Sequence, residues 1–342
     1  MQLNNWIKAI LFCLTLPSCL AQDGIELSNY FHHLKSFDFE HARISIAKED
    51  EDLQFVLLKL IEILETQGQK YDLDYFKFNS ESKDGNIILA IQILTESNAE
   101  VAFGVANNRT YQNLTKALEI TKSENHRALS QQILLGIIML FRYDFILNSA
   151  VYHDSLEEFK EYIHDPNDAA HYYINNLIFQ GKFKVEVDKE FIKSAQQLDS
   201  VFKFVEPASK LNSFYKFEKG VYHQTIKQYD SSVFYFKDVI GNTENIGYYR
   251  YINYGSYLKL SQVAAARNNY ANALLLLEKT KQFNDRANAK RSEYYYKFWG
   301  AHYFYGLGKP ELAFQSLREA INLKDTVNKI QIQHKIADAK EK

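Results

Sequence analysis

Three segments in the last third of the chain are near-copies of one another at a fixed interval. They span residues 229–239, 270–280 and 310–320, and each places a small residue three positions after its start and a large hydrophobic residue four positions later. The small residues are Ser232, Ala273 and Ala313, so the intervals are 41 and 40 residues. A period near 40 residues is typical of stacked helix pairs, and the sequence therefore predicts an array of helices.

The composition favours the same fold class. Hydrophobic residues make up 46% of the 342 residues, but there are only 4 prolines and 13 glycines. A many-stranded fold needs such turn-forming residues at short intervals, so we predict an all-α protein. Because helical repeats contact only their neighbours, a chain of this length can form one elongated array without dividing into globular domains.

Charge and motifs exclude several classes of function. The formal net charge is −2, from 40 basic and 42 acidic residues, and no basic stripe is present, so we expect no nucleic-acid partner. The chain has no Gly-rich phosphate loop, and the Gly-Ser sequence at 255–256 lacks the second glycine of a nucleophile elbow. We expect a non-catalytic protein with no cofactor and no metal; an enzyme with an unrecognised site is the alternative.

Residues 1–21 have the pattern of a signal peptide. Lys8 is their only charge, the run from Ala9 to Leu16 is mostly apolar, and Pro17 and two small residues follow. Eight helical residues reach about 12 Å, well short of the roughly 30 Å of a bilayer core. We therefore expect export, to the periplasm or the outer cell envelope of a bacterium.

Two routes of processing are open. Cleavage after Ala21 is favoured, because Pro17 is unusual in the lipobox-like sequence that ends at Cys19. The alternative is lipidation of Cys19, which would tether the protein to a membrane. Cys13 and Cys19 are the only cysteines, so cleavage after Ala21 leaves a chain without disulfides or thiol chemistry.

Helical signatures continue from residue 22 to residue 210, where we expect degenerate repeats. The acidic run from Glu49 to Asp52 precedes apolar residues at helical spacing, which indicates the first turn of a helix rather than a metal site. Residues 67–85 are the least regular stretch and predict a connector. Helical patterns resume over 86–94, 114–120, 134–140, 151–163 and 169–204.

A cluster of histidines and aspartates lies between residues 164 and 171. Asp165 suits a helix N-cap, Pro166 the first helical position and Asp168 the capping-box position. This interpretation is favoured over a metal site that also uses His164 and His171. A second group of histidines, His32, His33 and His41, forms a weaker set of ligands because the first two point to different faces of a helix.

The three C-terminal segments resemble the tetratricopeptide repeat, in which small residues of a first and a second helix pack together. The small positions of the first helices are Gly220, Ser261 and Ala301, each 12 residues before Ser232, Ala273 and Ala313. The turn positions are Tyr229, Tyr270 and Pro310, and the large second-helix positions are Phe236, Leu277 and Leu317. The resemblance covers residues 211–323 and implies a right-handed α-solenoid of antiparallel helix pairs.

Two features depart from the family pattern. The period exceeds the usual 34 residues, and Lys216 and Lys297 occupy a first-helix position that is normally bulky and apolar. The phase of the first helices is therefore open.

The resemblance also implies a concave groove lined by one face of each first helix. Its candidate residues are Phe214, Phe217, Val221, Gln224, Leu258, Gln262, Ala265, Tyr295, Phe298, His302 and Tyr305. Such a face suits an extended peptide, an amphipathic helix or a sugar ring. The alternative, of equal weight, is that many of these residues pack between helices.

Residues 324–342 predict a charged helix. The stretch resembles the helix that follows the repeats in exported sensor regions of bacterial signalling proteins, where a membrane helix comes next. The alternative is that Val327, Ile330 and Ala337 allow it to cap the last repeat.

These patterns together favour an exported scaffold or sensor module that binds a protein or peptide in the cell envelope. A membrane is expected to be a partner only through Cys19 lipidation or a C-terminal anchor that the chain lacks. A glycan-binding envelope lipoprotein is the second function, and an enzyme the third.

Overall fold

The protein is all-helical in the computed structural model, which describes residues 25–78, 85–142, 149–183, 189–243, 249–283 and 289–324. These ranges contain α-helices, short 3-10 turns and no strand, which confirms the predicted fold class. The expected signal peptide, Cys19 and the stretch 325–342 lie outside the described residues.

Fifteen α-helices follow one another along these ranges. Their bounds are α1 Ile25–Lys35, α2 Phe39–Ser45, α3 Glu51–Thr66, α4 Asn86–Phe103, α5 Asn108–Ser123, α6 Arg127–Arg142, α7 Ser149–Lys160, α8 Pro166–Phe183, α9 Lys189–Phe202, α10 Leu211–Thr225, α11 Tyr229–Thr243, α12 Arg250–Ala266, α13 Tyr270–Lys279, α14 Ala289–Gly306 and α15 310–324. The predicted connector at 67–85 contains a 3-10 turn, Leu73–Phe76, whose Phe76 is fully buried; residues 79–84 lie outside the described ranges.

Helices adjacent in sequence pack against each other, so the fold is built of consecutive pairs from α4/α5 to α14/α15. The first helices of neighbouring pairs also touch, as α4 does with α6, and α10 with both α8 and α12. No helix among the described residues is both long and apolar enough to cross a bilayer.

The turns inside the three C-terminal pairs share one backbone conformation. Lys227, Asn268 and Gly308 stand at the repeat interval and have φ of 62°, 58° and 68°. This left-handed conformation ends the first helix of each pair, and glycine and asparagine adopt it more readily than other residues. The repeat seen in the sequence is therefore a repeat of backbone geometry.

The small positions of the paired helices are buried, and Gly220 meets the large second-helix residue of its own pair. Gly220 lies against the ring of Phe236, where an added Cβ would come within 2.6 Å of a ring carbon. Ser232, Ser261 and Ala273 are completely buried. The two helices of a pair approach closely because these positions carry almost no side chain.

The two unexpected lysines are explained by partners on the second helix of the same pair. Lys216 Nζ lies 2.6 Å from Asp238 of α11, and Lys297 Nζ lies 2.5 Å from Glu319 of α15. In the middle pair the lysine lies on the second helix instead. The ammonium of Lys279 of α13 lies 5.4 Å from the ring centre of Tyr257, the equivalent first-helix residue of α12. Each first-helix lysine thus has its ammonium beside a carboxylate, which allows a charged residue at this position.

The N-terminal helices depart from the rule that repeats contact only their neighbours. Helix α1 packs on α6, and its C-terminal end reaches α8 and α10. There the Phe37 ring stacks on Phe214 at 5.0 Å between centroids, and Lys210 Nζ donates to the Phe37 carbonyl at 2.8 Å. Helix α1 and Phe37 are thereby attached to α8 and α10.

Candidate binding surface

Four of the predicted groove residues are buried, and Ala265 is one of them. Phe214, Phe217 and Leu258 belong to the cores between helices. The Phe217 ring covers Gly255 of the next pair, where an added Cβ would lie 2.6 Å from it. The expectation that these three residues line an accessible groove is thus corrected, because each is covered by a neighbouring helix or, for Phe214, by Phe37.

The polar groove positions form a bridge between α10 and α12. Gln224 Nε2 donates to Gln262 Oε1 at 3.1 Å, and both side chains are partly buried beside Val221. Gln224 Oε1 is itself buried and has no hydrogen-bond partner among the described residues. Ala265, the repeat equivalent of Gln224, is buried in the core between helices and does not line an accessible groove. The two amides retain capacity to bond a polar ligand.

Helix α14 carries the most accessible groove positions. Phe298 is 39% exposed and Tyr305 73% exposed, His302 is also exposed, and Tyr295 is partly buried. These residues recur at helical spacing, so they share one side of the helix. The sequence predicted all four, and the structure places them together.

Neighbouring rings extend this side of α14 into a continuous aromatic strip. Tyr294 stacks on Phe298 with centroids 5.8 Å apart, and Phe298 meets the edge of Trp299 at 5.4 Å. Trp299 in turn lies 6.1 Å from His302, which contacts Tyr270 of α13 at 6.0 Å. Tyr294 and Trp299 were absent from the sequence prediction, which selected one residue per turn and overlooked their neighbours.

The opposite side of α14 is anchored, so the strip is held in a fixed position. Tyr303 is fully buried, and its hydroxyl lies 2.9 Å from Ser261 Oγ of α12. Burial raises the pKa of Tyr303 to about 12, against the smaller opposing effect of the Ser261 hydrogen bond. The phenol therefore stays protonated at neutral pH. Tyr296 adds a second anchor by donating to Glu278 Oε2 of α13 at 2.6 Å.

The histidine–aspartate segment has the predicted capping role. Helix α8 begins at Pro166, the backbone N–H of Asp168 donates to Asp165 Oδ1 at 2.9 Å, and His164 N–H donates to Asp168 Oδ2 at 3.1 Å. The sequence missed a second role, since Asp168 also forms a buried ion pair with Lys35 of α1.

Around that pair lie His171, whose Nε2 is 2.9 Å from the Lys35 carbonyl oxygen, and His32, which contacts Asp165 at 3.2 Å. Within the described ranges, no three His, Cys, Asp or Glu side chains are placed to hold a metal ion. This cluster fastens α1 to α8.

A small polar cleft of about 190 Å³ lies where α5, α6 and α7 meet, between Lys122, Arg127 and Tyr162. Both cations are already engaged. Lys122 Nζ lies 2.5 Å from Glu158, and Arg127 Nη2 donates to the Glu161 carbonyl at 2.5 Å. The aromatic strip of α14 therefore remains the candidate binding surface.

No protein-family model, curated protein or solved structure matches the chain.

Proposed function

We propose that the chain is a right-handed α-solenoid of the tetratricopeptide type that acts as an exported, non-catalytic scaffold or sensor module and binds a protein or peptide. The observation that carries this proposal is the aromatic strip of α14, which continues the face marked by the Gln224–Gln262 bridge. The proposed site comprises Val221, Gln224, Gln262, Tyr295, Phe298, His302 and Tyr305.

The repeat geometry supports the solenoid. Equivalent left-handed turns at Lys227, Asn268 and Gly308 give successive pairs one internal arrangement. Contacts between the first helices α8, α10 and α12 place those helices side by side. A face of such helices forms one extended surface, which is how solenoids bind their partners.

The chemistry of the surface supports a peptide ligand. Exposed phenylalanine and tyrosine rings bury large apolar area at low entropic cost, and they are the residues that dominate peptide and protein recognition. The glutamine amides offer donors and acceptors that match peptide N–H and C=O groups. The site thus combines an aromatic region for side chains with a polar region for the backbone.

Location and signalling belong to the same proposal. The apolar run of residues 9–16 supports export to the periplasm or outer envelope of a bacterium. Attachment to a membrane would come from Cys19 lipidation or from an anchor outside this chain. A sensing role follows from the resemblance of residues 211–342 to exported sensor regions.

The experiment uses residues 22–342 on a peptide array and, in parallel, on a glycan array. Peptides selected by the wild type are measured against the double variant Phe298→Ala, Tyr305→Ala. Loss of the two aromatic contacts should weaken binding at least about 30-fold, because a single hot-spot residue contributes about 2 kcal/mol or more. The control is Phe234→Ala with Leu275→Ala, which removes two exposed apolar side chains from α11 and α13.

Equal weakening in both double variants would contradict the proposed site. Selection of glycans alone, with loss of binding in the α14 variant, would replace the peptide by a sugar that stacks on the same rings.

A further inference from the structure

Contacts of α10 identify three sides of this helix. Gly220 faces the second helix of its own pair, Phe217 faces the next first helix, and Lys219 faces the preceding pair. Because successive residues are about 100° apart around a helix, Glu218 falls on the fourth side, which points away from the second helix. In the proposed solenoid this inner side is the concave one.

The repeat interval places Lys259 of α12 and Trp299 of α14 at the position of Glu218. One turn further along these two helices lie Gln262 and His302, which belong to the proposed site. Glu218 is buried, whereas Lys259 and Trp299 are partly exposed. Lys259 therefore brings a positive charge to the inner side, next to the aromatic strip of α14.

The ammonium of Lys259 lacks the kind of partner that three other lysines of these first helices have. Lys216, Lys219 and Lys297 lie 2.6, 2.8 and 2.5 Å from a carboxylate oxygen. Within the described parts of the chain, Lys259 forms no hydrogen bond and no ion pair. Burial lowers the pKa of Lys259, against the smaller opposing effect of the Glu218 charge. The surroundings thus disfavour an ammonium that has no anion in contact with it.

We propose that Lys259 binds a side-chain carboxylate of a peptide that lies extended along the inner side of α12 and α14. This inference rests on the proposed peptide-binding function and adds the charge that the ligand carries. A carboxylate supplies the anion that Lys259 lacks, and hydrogen bonds between charged groups are about twice as strong as those between neutral groups. The amide of Gln262, one turn away, can bond the peptide backbone beside that residue.

The separation of the two helices sets the spacing within the ligand. Helices α12 and α14 are in contact, since the Tyr303 hydroxyl lies 2.9 Å from Ser261 Oγ. The axes of packed helices are about 8–10 Å apart, and an extended chain advances about 3.3–3.6 Å per residue. The acidic residue of the ligand is therefore about three positions from an apolar residue that meets Phe298 and Trp299.

Fluorescence anisotropy with the full chain tests the charge of the ligand. The probes are short acetylated and amidated peptides with one phenylalanine and one glutamate about three positions apart, in both orders, each paired with a glutamine version. Amidation removes the terminal carboxylate, so a charge preference comes from the glutamate alone. We expect the wild type to bind the glutamate version at least about tenfold more tightly.

Substitutions of Lys259 test whether it causes this preference. Lys259→Gln should abolish the preference while binding of the glutamine version stays unchanged, which also shows that the variant is folded. Lys259→Arg keeps the charge and should retain most of the preference. The control Lys237→Gln removes the same charge from an exposed position of α11 and should leave the preference intact. A preference that persists in Lys259→Gln, or that Lys237→Gln abolishes equally, would overturn the role of Lys259.

The glutamine peptides separate this result from a failure of the proposed function. Their binding should be weakened by Phe298→Ala with Tyr305→Ala, because the aromatic contact does not depend on the charge. If that double variant has no effect, or if neither version binds, the proposed peptide site is wrong and the Lys259 contact falls with it. If the wild type binds both versions equally through the α14 rings, the peptide site stands and the role of Lys259 is refuted.

Discussion

Lys35 Nζ and the Asp168 carboxylate form an ion pair between α1 and α8 in which both side chains are less than a tenth exposed. Gln131 of α6 accepts a second hydrogen bond from the same ammonium at 3.0 Å. Three helices that are distant in sequence thus meet at one charged group, which holds the N-terminal helix in place.

Removal of the charge on Lys35 should destabilise the protein. In Lys35→Met the Asp168 carboxylate stays buried without its partner, and breaking such a pair typically costs about 3–5 kcal/mol. The free energy of unfolding in urea measures the loss. The exposed pair of Lys77 and Asp74 is the control, and Lys77→Met should cost far less because both side chains are mostly exposed. Similar losses in the two variants would show that burial of the Lys35 pair contributes nothing.

Lowering the pH should destabilise the protein through protonation of His171, which lies beside the Lys35–Asp168 ion pair. Burial lowers the pKa of His171, and the nearby Lys35 charge adds to this effect against the Lys35 carbonyl and the carboxylates of Asp165 and Asp168. The unfolded chain titrates near the ordinary value of about 6.5. Below that pH the unfolded state binds a proton that the folded state takes up less readily, so stability falls as pH falls.

His32 acts in the opposite direction. Its pKa is raised by the hydrogen bond to Asp165, so its contribution is present at low pH and is lost as pH rises. The side chain is half-exposed, which keeps this contribution small.

The test of His171 compares urea unfolding at about pH 7 and about pH 5. The free energy of unfolding should decrease less between these pH values for His171→Gln than for the wild type. An identical decrease would remove His171 as its cause.

Substitution of Gly220 should reveal how closely the paired helices approach. An added methyl group would collide with the buried Phe236 ring, and overpacking of this kind costs about 1–3 kcal/mol. Gly241 of α11 has open space around it, so Gly241→Ala should instead stabilise the helix by about 0.5–1 kcal/mol. Thermal unfolding of Gly220→Ala and Gly241→Ala compares them, and a stabilised Gly220→Ala variant would contradict the close contact.

Two substitutions can give the middle pair the lysine–carboxylate chemistry of its neighbours and so test whether the three positions are equivalent. Tyr257→Lys places an ammonium beside Lys279 and removes the stacking of Tyr257 on Phe283, so it should destabilise the protein. Adding Lys279→Asp recreates the arrangement of Lys216 and Asp238, and should recover about 0.5–1 kcal/mol in a double-mutant cycle. A coupling energy of zero would show that the three positions are not equivalent.

The local features of this fold could be predicted because they depend on residues that are close together in the sequence. The cap formed by Asp165 and Pro166, and the contact of Gly220 with its paired helix, depend on residues within one or two helices of each other. Burial of Phe214 could not be predicted, because the ring that covers it, Phe37, lies far away in the sequence. The pairing of Lys35 with Asp168 could not be predicted for the same reason, because the two residues lie far apart in the sequence.

The candidate surface was predicted in part. Phe298, His302 and Tyr305 were selected by their repeat positions, and they are exposed because no described helix covers the side of α14 on which they lie. Phe217 and Leu258 share the repeat position of Phe298 but are covered by the next pair. A repeat position fixes the direction of a side chain, whereas its exposure depends on whether another helix follows.

The attachment of α1 to α8 and α10 has a consequence for the order of folding. Lys35 leaves the ribosome 133 residues before Asp168, and Phe37 precedes Lys210 by 173 residues. Closing so long a loop is entropically costly and slow relative to the formation of a helix pair. The helix pairs between them can assemble first, and α1 with Phe37 then docks on α8 and α10, so this helix is among the last elements to reach its final position although it is synthesised before them.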